Sequence, residues 1–333
     1  MRAIEFLGGS RSQLVDKLVP HPSPGHVVVR VLYNSVCGSD LWLYRGQWHG
    51  GSYPVVPGHE WSGVVQTTAL EDAAWQGHRV VGELATGCGC CRSCRAGAPV
   101  MCPDVNEIGF TSDGALAEYV RVPVRLLHKI PAAVDDLAAC QIEPLAVALH
   151  AVRRLAVGPG DRVAVLGCGA IGLLLMQAAR AAGADVVLAT EPVPYRREVA
   201  RRLGVPAVVT PETDELTRFE QGLDVVLEAS GDPSSVATAM RLAAPLARLG
   251  LVGYQVGRQA QLTTAEWPLK MLTVAGVMGP ASYYGEAMGL LASGRIDTAS
   301  LLTHVEPLEQ HEKALPRAVE RTNVVRVVFA PSL

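Results

Sequence analysis

Five of the chain's eight cysteines lie between Cys88 and Cys102. Taken as Cys88, Cys91, Cys94 and Cys102, they read C-x2-C-x2-C-x7-C. Four thiolates on one short loop close a tetrahedral site with no open position, the donor set of a structural zinc. Cys90 is the spare, since a register using it would crowd Cys91. Clustered cysteines can also hold iron–sulfur centres or pair as disulfides, but this spacing in a reducing compartment favours zinc. Three other segments offer metal ligands: Cys37 in Ser35-Val36-Cys37-Gly38-Ser39-Asp40, His59 and Glu60 after Pro57-Gly58, and Glu143 in Gln141-Ile142-Glu143-Pro144. Taken singly none is specific, because a lone cysteine suits a core and Gly-His-Glu suits a turn.

A second constellation concerns phosphate. The apolar run Arg162–Leu166 leads into Gly167-Cys168-Gly169-Ala170-Ile171-Gly172, with helix-forming sequence from near Leu173. Strand, G-x-G-x-x-G and helix in that order form a dinucleotide-binding fingerprint. Gly167 permits the tight turn, Gly169 lets the backbone approach a pyrophosphate, and Gly172 allows helix to pack on strand. Ala170 and Ile171 lie where the helix N-terminus faces the phosphates. The next strand, Val186–Thr190, ends at Glu191, about 20 residues on, where a carboxylate accepts the adenosine ribose hydroxyls and repels a 2′-phosphate. NAD is therefore expected over NADP. Arg196 and Arg197 follow and can offset that charge, although their helix spacing reads as solvated surface.

These residues need two kinds of scaffold. Up to about Leu145 the chain has short β-like runs, such as His26–Leu32 and Glu118–Val122, broken by turn residues. From about Ala146, helix-length Ala/Leu/Arg segments alternate with strands at Arg162–Leu166, Val186–Ala189, Asp224–Glu228, Leu249–Val252 and Thr273–Val277. That alternation builds a doubly wound parallel sheet. After Gly279, an amphipathic stretch at Ala287–Ala292 and a closing strand at Asn323–Phe329 return the chain to the first domain. The expected fold is α/β: residues 146–281 as a Rossmann domain, and residues 1–145 with 282–333 as a mostly β zinc-binding domain.

A chain of 333 residues suits two domains, and with aromatics at only 5% its cores must rest on Val, Leu, Ala and Ile. The net charge of −3 and the absence of Lys/Arg runs argue against nucleic acid or membrane surfaces as partners and favour a small molecule. The opening residues lack a signal-peptide apolar region and no stretch would span a bilayer, so a cytoplasmic location is expected.

These segments in this order resemble the medium-chain zinc alcohol dehydrogenases over essentially the whole chain, especially the branch of sorbitol and threonine dehydrogenases. The resemblance implies a mostly β GroES-like catalytic domain and two zincs per chain, one structural and one catalytic. It implies Cys37, His59 and Glu143 as catalytic zinc ligands, with Glu60 adjacent and able to approach the metal. Such a metal polarises an alcohol, and hydride then passes to the nicotinamide. Ser39 corresponds to the hydroxyl that takes the alcohol proton, and Asp40 is placed to orient His59. One departure is Trp42, where many relatives carry a histidine that completes the proton route to solvent; His49 is a candidate substitute or substrate contact. A homodimer or homotetramer is implied, with Leu272–Val277 as the shared edge strand.

Around the ligand segments, Trp42, Tyr44, Trp48, His49, Tyr53 and Trp61 concentrate rings in a chain otherwise poor in them, which suits a cyclic substrate. The stretches 33–40, 48–50 and 53–63 are similar to the 2-deoxy-scyllo-inosamine dehydrogenases of aminoglycoside antibiotic biosynthesis. That similarity implies oxidation of one hydroxyl of an aminocyclitol; a tailoring relative acting on a sugar of an already glycosylated aminocyclitol is the alternative. A zinc-stabilised nucleotide-binding protein without catalysis would have lost Cys37, Ser39, His59 or Glu143. A zinc-free reductase on the same fold would lack the cysteine loop as well.

Overall fold

The computed structural model describes residues 1–48, 52–280 and 282–332. The chain forms two compact units: Met1–Glu143 with Leu302–Leu333, and Pro144–Leu301.

The second unit is built on a six-stranded sheet, in spatial order Ala207–Val209, Asp185–Thr190, Arg162–Leu166, Leu223–Glu228, Ala243–Leu251 and Thr273–Gly276. All five pairings are parallel. The order reverses about Arg162–Leu166, the first strand in sequence, which creates the crevice at the strands' carboxyl ends where doubly wound sheets bind ligands. The central strands are continuous apolar runs because helices cover both faces. Val163–Leu166 and Val225–Leu227 are wholly buried, as is the middle of the helix Ala170–Ala181. That helix starts at Ala170, earlier than the position near Leu173 expected from sequence. Gly169 is its N-cap, so Ala170 and Ile171 form the first turn.

The segment 282–301 belongs to this unit, not to the zinc-binding one. The helix Tyr284–Ala292 buries Tyr284 and Ala287, Gln177 exchanges hydrogen bonds with the backbone of Asp297 (2.6 and 3.0 Å), and Arg295 donates to the Ala181 carbonyl (2.7 Å). These contacts hold the segment to the sheet's helices, and the return comes at Leu302.

The first unit centres on a seven-stranded sheet. Its path runs Leu302–Glu306, Arg326–Phe329, His26–Ser35, Glu60–Thr67, Arg79–Gly82 and Leu127–Lys129, and Tyr119–Pro123 also pairs with His26–Ser35. The long strand His26–Ser35 thus has three neighbours. Two apolar clusters fill the unit: one around Val29, Trp61, Val80 and Val122, the other around Phe6, Leu43, Leu116 and Phe329. The closing strand is Arg326–Phe329, shorter than the sequence pattern suggested, with a turn at residues 322–323 before it.

No helix among the described residues is long and apolar enough to cross a membrane. At Gly172 an added Cβ would stand 1.9 Å from the Gly167 carbonyl oxygen. Gly172→Ala is accordingly expected to destabilise the chain by about 3 kcal/mol, read as a lower urea midpoint by circular dichroism; an unchanged midpoint would contradict the packing described.

Candidate active site

The strand His26–Ser35 carries the chain to Cys37, and its partner Glu60–Thr67 begins directly after His59. In their antiparallel register Ser35 faces Glu60 and Asn34 faces Trp61. Cys37 is therefore brought beside His59 by the sheet. Gly58, at φ +101, makes the turn into His59; a Cβ there would lie 2.6 Å from Asn34 Oδ1 and 2.8 Å from the Leu116 nitrogen. Only glycine fits that approach. Cys37 caps the helix Gly38–Tyr44, and Asp40 accepts the Cys37 N–H at 2.8 Å. The other Asp40 oxygen, Oδ1, lies 3.5 Å from His59 Nδ1. This leaves the far nitrogen of His59 for a metal, with Asp40 orienting the ring from behind.

The sulfur of Cys37 and the ligand atoms of His59 and Glu60 lie within 4.8 Å of one another. Glu60 is wholly buried, and its Oε2 pairs with Arg326 and accepts from the Ser35 hydroxyl. Glu60 Oε1 has no partner among the described residues. The structure thus groups Glu60 with Cys37 and His59 and leaves Glu143 outside that group. Glu143 is 6% exposed in the first turn of the helix Ile142–Arg154; burial pushes its carboxyl up to about 7, with His59 opposing and Glu60 adding to the rise. Burial likewise raises the Cys37 thiol, reinforced by Glu60. Cys37, Glu60 and Glu143 collect acidic groups around the buried cation Arg326, an arrangement that burial penalises unless further positive charge enters. A thiol, an imidazole and carboxylates with an unpartnered oxygen suit a zinc ion, and the donor set fits it.

Ser39 stands half-buried in the first turn after Cys37, and Trp42 is half-buried one turn on. His49 lies outside the described residues. Of the other ring-bearing residues, Tyr44 and Trp61 are core side chains, and the Tyr53 hydroxyl is held by the Leu43 carbonyl at 2.6 Å. Trp48 does reach the site: its ring is 4.9 Å from Phe110, whose ring is 5.1 Å from His59. Phe110 was not legible as a site residue, because nothing in its local sequence ties it to His59.

In the cysteine loop, the sulfurs of Cys88, Cys91, Cys94 and Cys102 lie within 4.8 Å of one another. Cys90 stays outside, 3.6 Å from Cys88. Backbone N–H groups point at the sulfurs: Cys91 to Cys88 (3.4 Å), Cys94 to Cys91 (3.4 Å) and Cys88 to Cys102 (3.3 Å). The N–H groups of Cys90 and Cys91 pull the Cys88 thiol down to about 6, toward the thiolate a metal binds. All eight cysteines are free of disulfides.

In the other unit, Gly167 adopts φ +97 with its Cα face 2.8 Å, by an added Cβ, from the Ser230 nitrogen. Gly169 opens the helix, and a Cβ there would meet nothing nearer than an Arg196 nitrogen at 3.9 Å, so the loop has room for a phosphate. Glu191 is buried and turned back on this loop, accepting N–H groups from Cys168 (2.8 Å) and Val193 (3.0 Å). Arg196 is 8% exposed, buried where helix spacing suggested solvated surface, while Arg197 is half-buried and donates to the carbonyls of Glu191 (2.9 Å) and Pro192 (2.7 Å). The neighbouring strand supplies a group missed by sequence. Glu228 Oε1 accepts from the Ser230 and Gly231 N–H groups (2.7 and 3.0 Å) and the Ser235 hydroxyl (2.7 Å), while its carbonyl accepts from Val252 and Gly253. One residue, through its carboxylate on one side and its backbone carbonyl on the other, thereby ties together two loops at the carboxyl ends of adjacent strands.

Two family models match: the alcohol dehydrogenase GroES-like domain over residues 23–132 and the zinc-binding dehydrogenase domain over residues 170–293. The sorbitol dehydrogenase of Bacillus subtilis is 30% identical, covering 94% of this chain and 92% of its own. The L-threonine 3-dehydrogenase of Bacillus velezensis is 33% identical, covering 89% and 90%. A zinc-binding dehydrogenase from Sinorhizobium meliloti, solved with NADP, superposes with a TM-score of 0.91 at 29% identity over 99% of each chain. The chain belongs to the zinc-dependent medium-chain alcohol dehydrogenases, and it is an oxidoreductase using zinc and a nicotinamide cofactor.

The two metal groups give a stoichiometric expectation. Metal analysis should find two zincs per chain, Cys94→Ser should lose one together with thermal stability, and Cys37→Ser should lose one with turnover while nicotinamide binding persists. Full turnover in Cys37→Ser would contradict the assignment of that site.

Proposed function

We propose that this dehydrogenase oxidises a secondary ring hydroxyl of an aminocyclitol, 2-deoxy-scyllo-inosamine, to the ketone, with NAD as acceptor. The observation that carries the ring is the wall of Trp48 and Phe110 leading to His59, flat apolar faces suited to a cyclic polyol. The similarity of residues 33–40, 48–50 and 53–63 to the dehydrogenases of aminoglycoside biosynthesis supports the same substrate.

Cys37 and His59 hold the catalytic zinc in this reading, with Glu60 or Glu143 as the third ligand. When bound, the zinc supplies a Lewis acid that polarises the substrate's C–O bond. Asp40 fixes the His59 ring so that its far nitrogen faces inward. Ser39, in the turn after Cys37, receives the hydroxyl proton. Arg326 holds one oxygen of Glu60 and leaves the other free to turn toward the ligand group. Gly167, Gly169, Ala170, Ile171 and Gly172 receive the pyrophosphate, and Glu191 receives the adenosine ribose. Intact Cys37, Ser39 and His59 argue for catalysis over a purely nucleotide-binding role.

The strand Thr273–Gly276 lies at the edge of the parallel sheet, with Leu269 and Met271 exposed beside it. An edge of this kind favours a homo-oligomer that continues the sheet.

Glu191 supports NAD through charge: its carboxylate opposes a 2′-phosphate. Glu191→Ala is expected to lower kcat/KM with NAD about tenfold while sparing or raising that with NADP; unchanged discrimination would place selectivity elsewhere. The substrate reading is tested by NADH formation with 2-deoxy-scyllo-inosamine, a glycosylated aminocyclitol, sorbitol and L-threonine. Turnover of the free ring alone is expected. Turnover of the glycosylated compound alone would instead make the enzyme a tailoring dehydrogenase, and turnover of only sorbitol or threonine would overturn the aminocyclitol reading.

A further inference from the structure

An amine-bearing substrate needs an anion near the reacting hydroxyl, and the acids closest to Cys37 are already engaged. Glu60 pairs with Arg326, Asp40 is committed to the Cys37 N–H and His59, and Glu143 is buried outside the group of Cys37, His59 and Glu60. Glu107 differs from all three. It lies on the short strand Asn106–Glu107, paired with Ala85, and its carbonyl accepts the Phe110 N–H at 3.1 Å. This places it three residues from the ring that stands 5.1 Å from His59. Its backbone is fully used, its carbonyl accepting also from the Thr111 and Ser112 N–H groups and its own N–H donating to Thr111 Oγ1. Its half-buried side chain takes no hydrogen bond and no ion pair from any described residue, and it lies near enough to His59 for the two to interact. Glu107 is therefore a half-buried carboxylate without a counter-ion among the described residues, a state that an arriving cation stabilises.

We propose that Glu107 pairs with the ammonium group of the substrate and makes the enzyme select amine-bearing alcohols over neutral polyols. Trp48 and Phe110 reinforce the selection, since their ring faces attract a cation placed between them and the carboxylate. Glu107 takes no part in the chemistry at the hydroxyl; it sets which alcohols dwell there.

The assignment rests on the aminocyclitol reading for the ring but not for the charge, and a matched pair of small alcohols separates the two. Serinol and glycerol differ only by an amine in place of a hydroxyl. Each is measured as a competitive inhibitor of whichever alcohol the zinc-loaded enzyme oxidises, in the wild type, Glu107→Gln and Glu107→Asp. The expected result is a serinol inhibition constant at least tenfold below that of glycerol in the wild type. Glu107→Gln should erase the difference with the glycerol value within twofold, and Glu107→Asp should restore part of it. Zinc content and thermal midpoint should be unchanged in both variants, because the side chain makes no hydrogen bond or ion pair with any described residue. No preference for serinol in the wild type, or a preference that survives in Glu107→Gln, overturns the proposal whatever ring the enzyme takes. An equal fall in kcat on every substrate would assign Glu107 to proton transfer and also overturn it.

Discussion

The buried pairing of Glu60 with Arg326 is the interaction on which the zinc-binding unit's chemistry depends. Neither side chain is more than 3% exposed, and each comes from a different strand flanking His26–Ser35. Removing one partner of such a pair costs about 3–5 kcal/mol, because it strands the other charge in an apolar interior. The pair therefore fixes how Arg326–Phe329 and Glu60–Thr67 sit about the strand that ends at Cys37. It also holds one Glu60 oxygen while leaving the other without a partner among the described residues, beside a thiol and an imidazole.

The cofactor unit solves a comparable problem with backbone rather than charge. Three parallel strands end at glycine-rich turns, and two buried carboxylates organise them. Glu191 braces the turn that follows Arg162–Leu166, and Glu228 gathers the loops after Leu223–Glu228 and Ala243–Leu251. In each case N–H groups that would otherwise be orphaned at a strand end are given a fixed acceptor. A preformed loop of this kind loses little conformational freedom when a pyrophosphate binds.

The aromatic residues show where local sequence stops being informative. Six ring-bearing residues crowd the ligand segments, yet Tyr44 and Trp61 serve cores, Tyr53 braces a helix end, and Trp48 joins Phe110 from a distant stretch to form the wall beside His59. Proximity along the chain did not decide proximity to the metal group. The packing of loops distant in sequence did, since Trp48 and Phe110 both lie outside the strands and meet beside His59.

Local chemistry determined much of this protein in advance. The cysteine loop closes over fifteen residues, and the glycine fingerprint over six, so their geometry is set by spacing and backbone sterics that travel with the sequence. The alternation of strand and helix beyond residue 146 sufficed for the parallel sheet, since hydrophobic period and connection length leave few other packings. What required tertiary structure was every relation made across long separations. The grouping of Glu60 rather than Glu143 with Cys37, the charge of Arg326 brought to Glu60, the burial of Arg196 and the carboxylate of Glu107 without a partner among the described residues all depend on which distant segments meet. Such contacts are set by sheet register and core packing summed over the whole unit, and no local spacing encodes them.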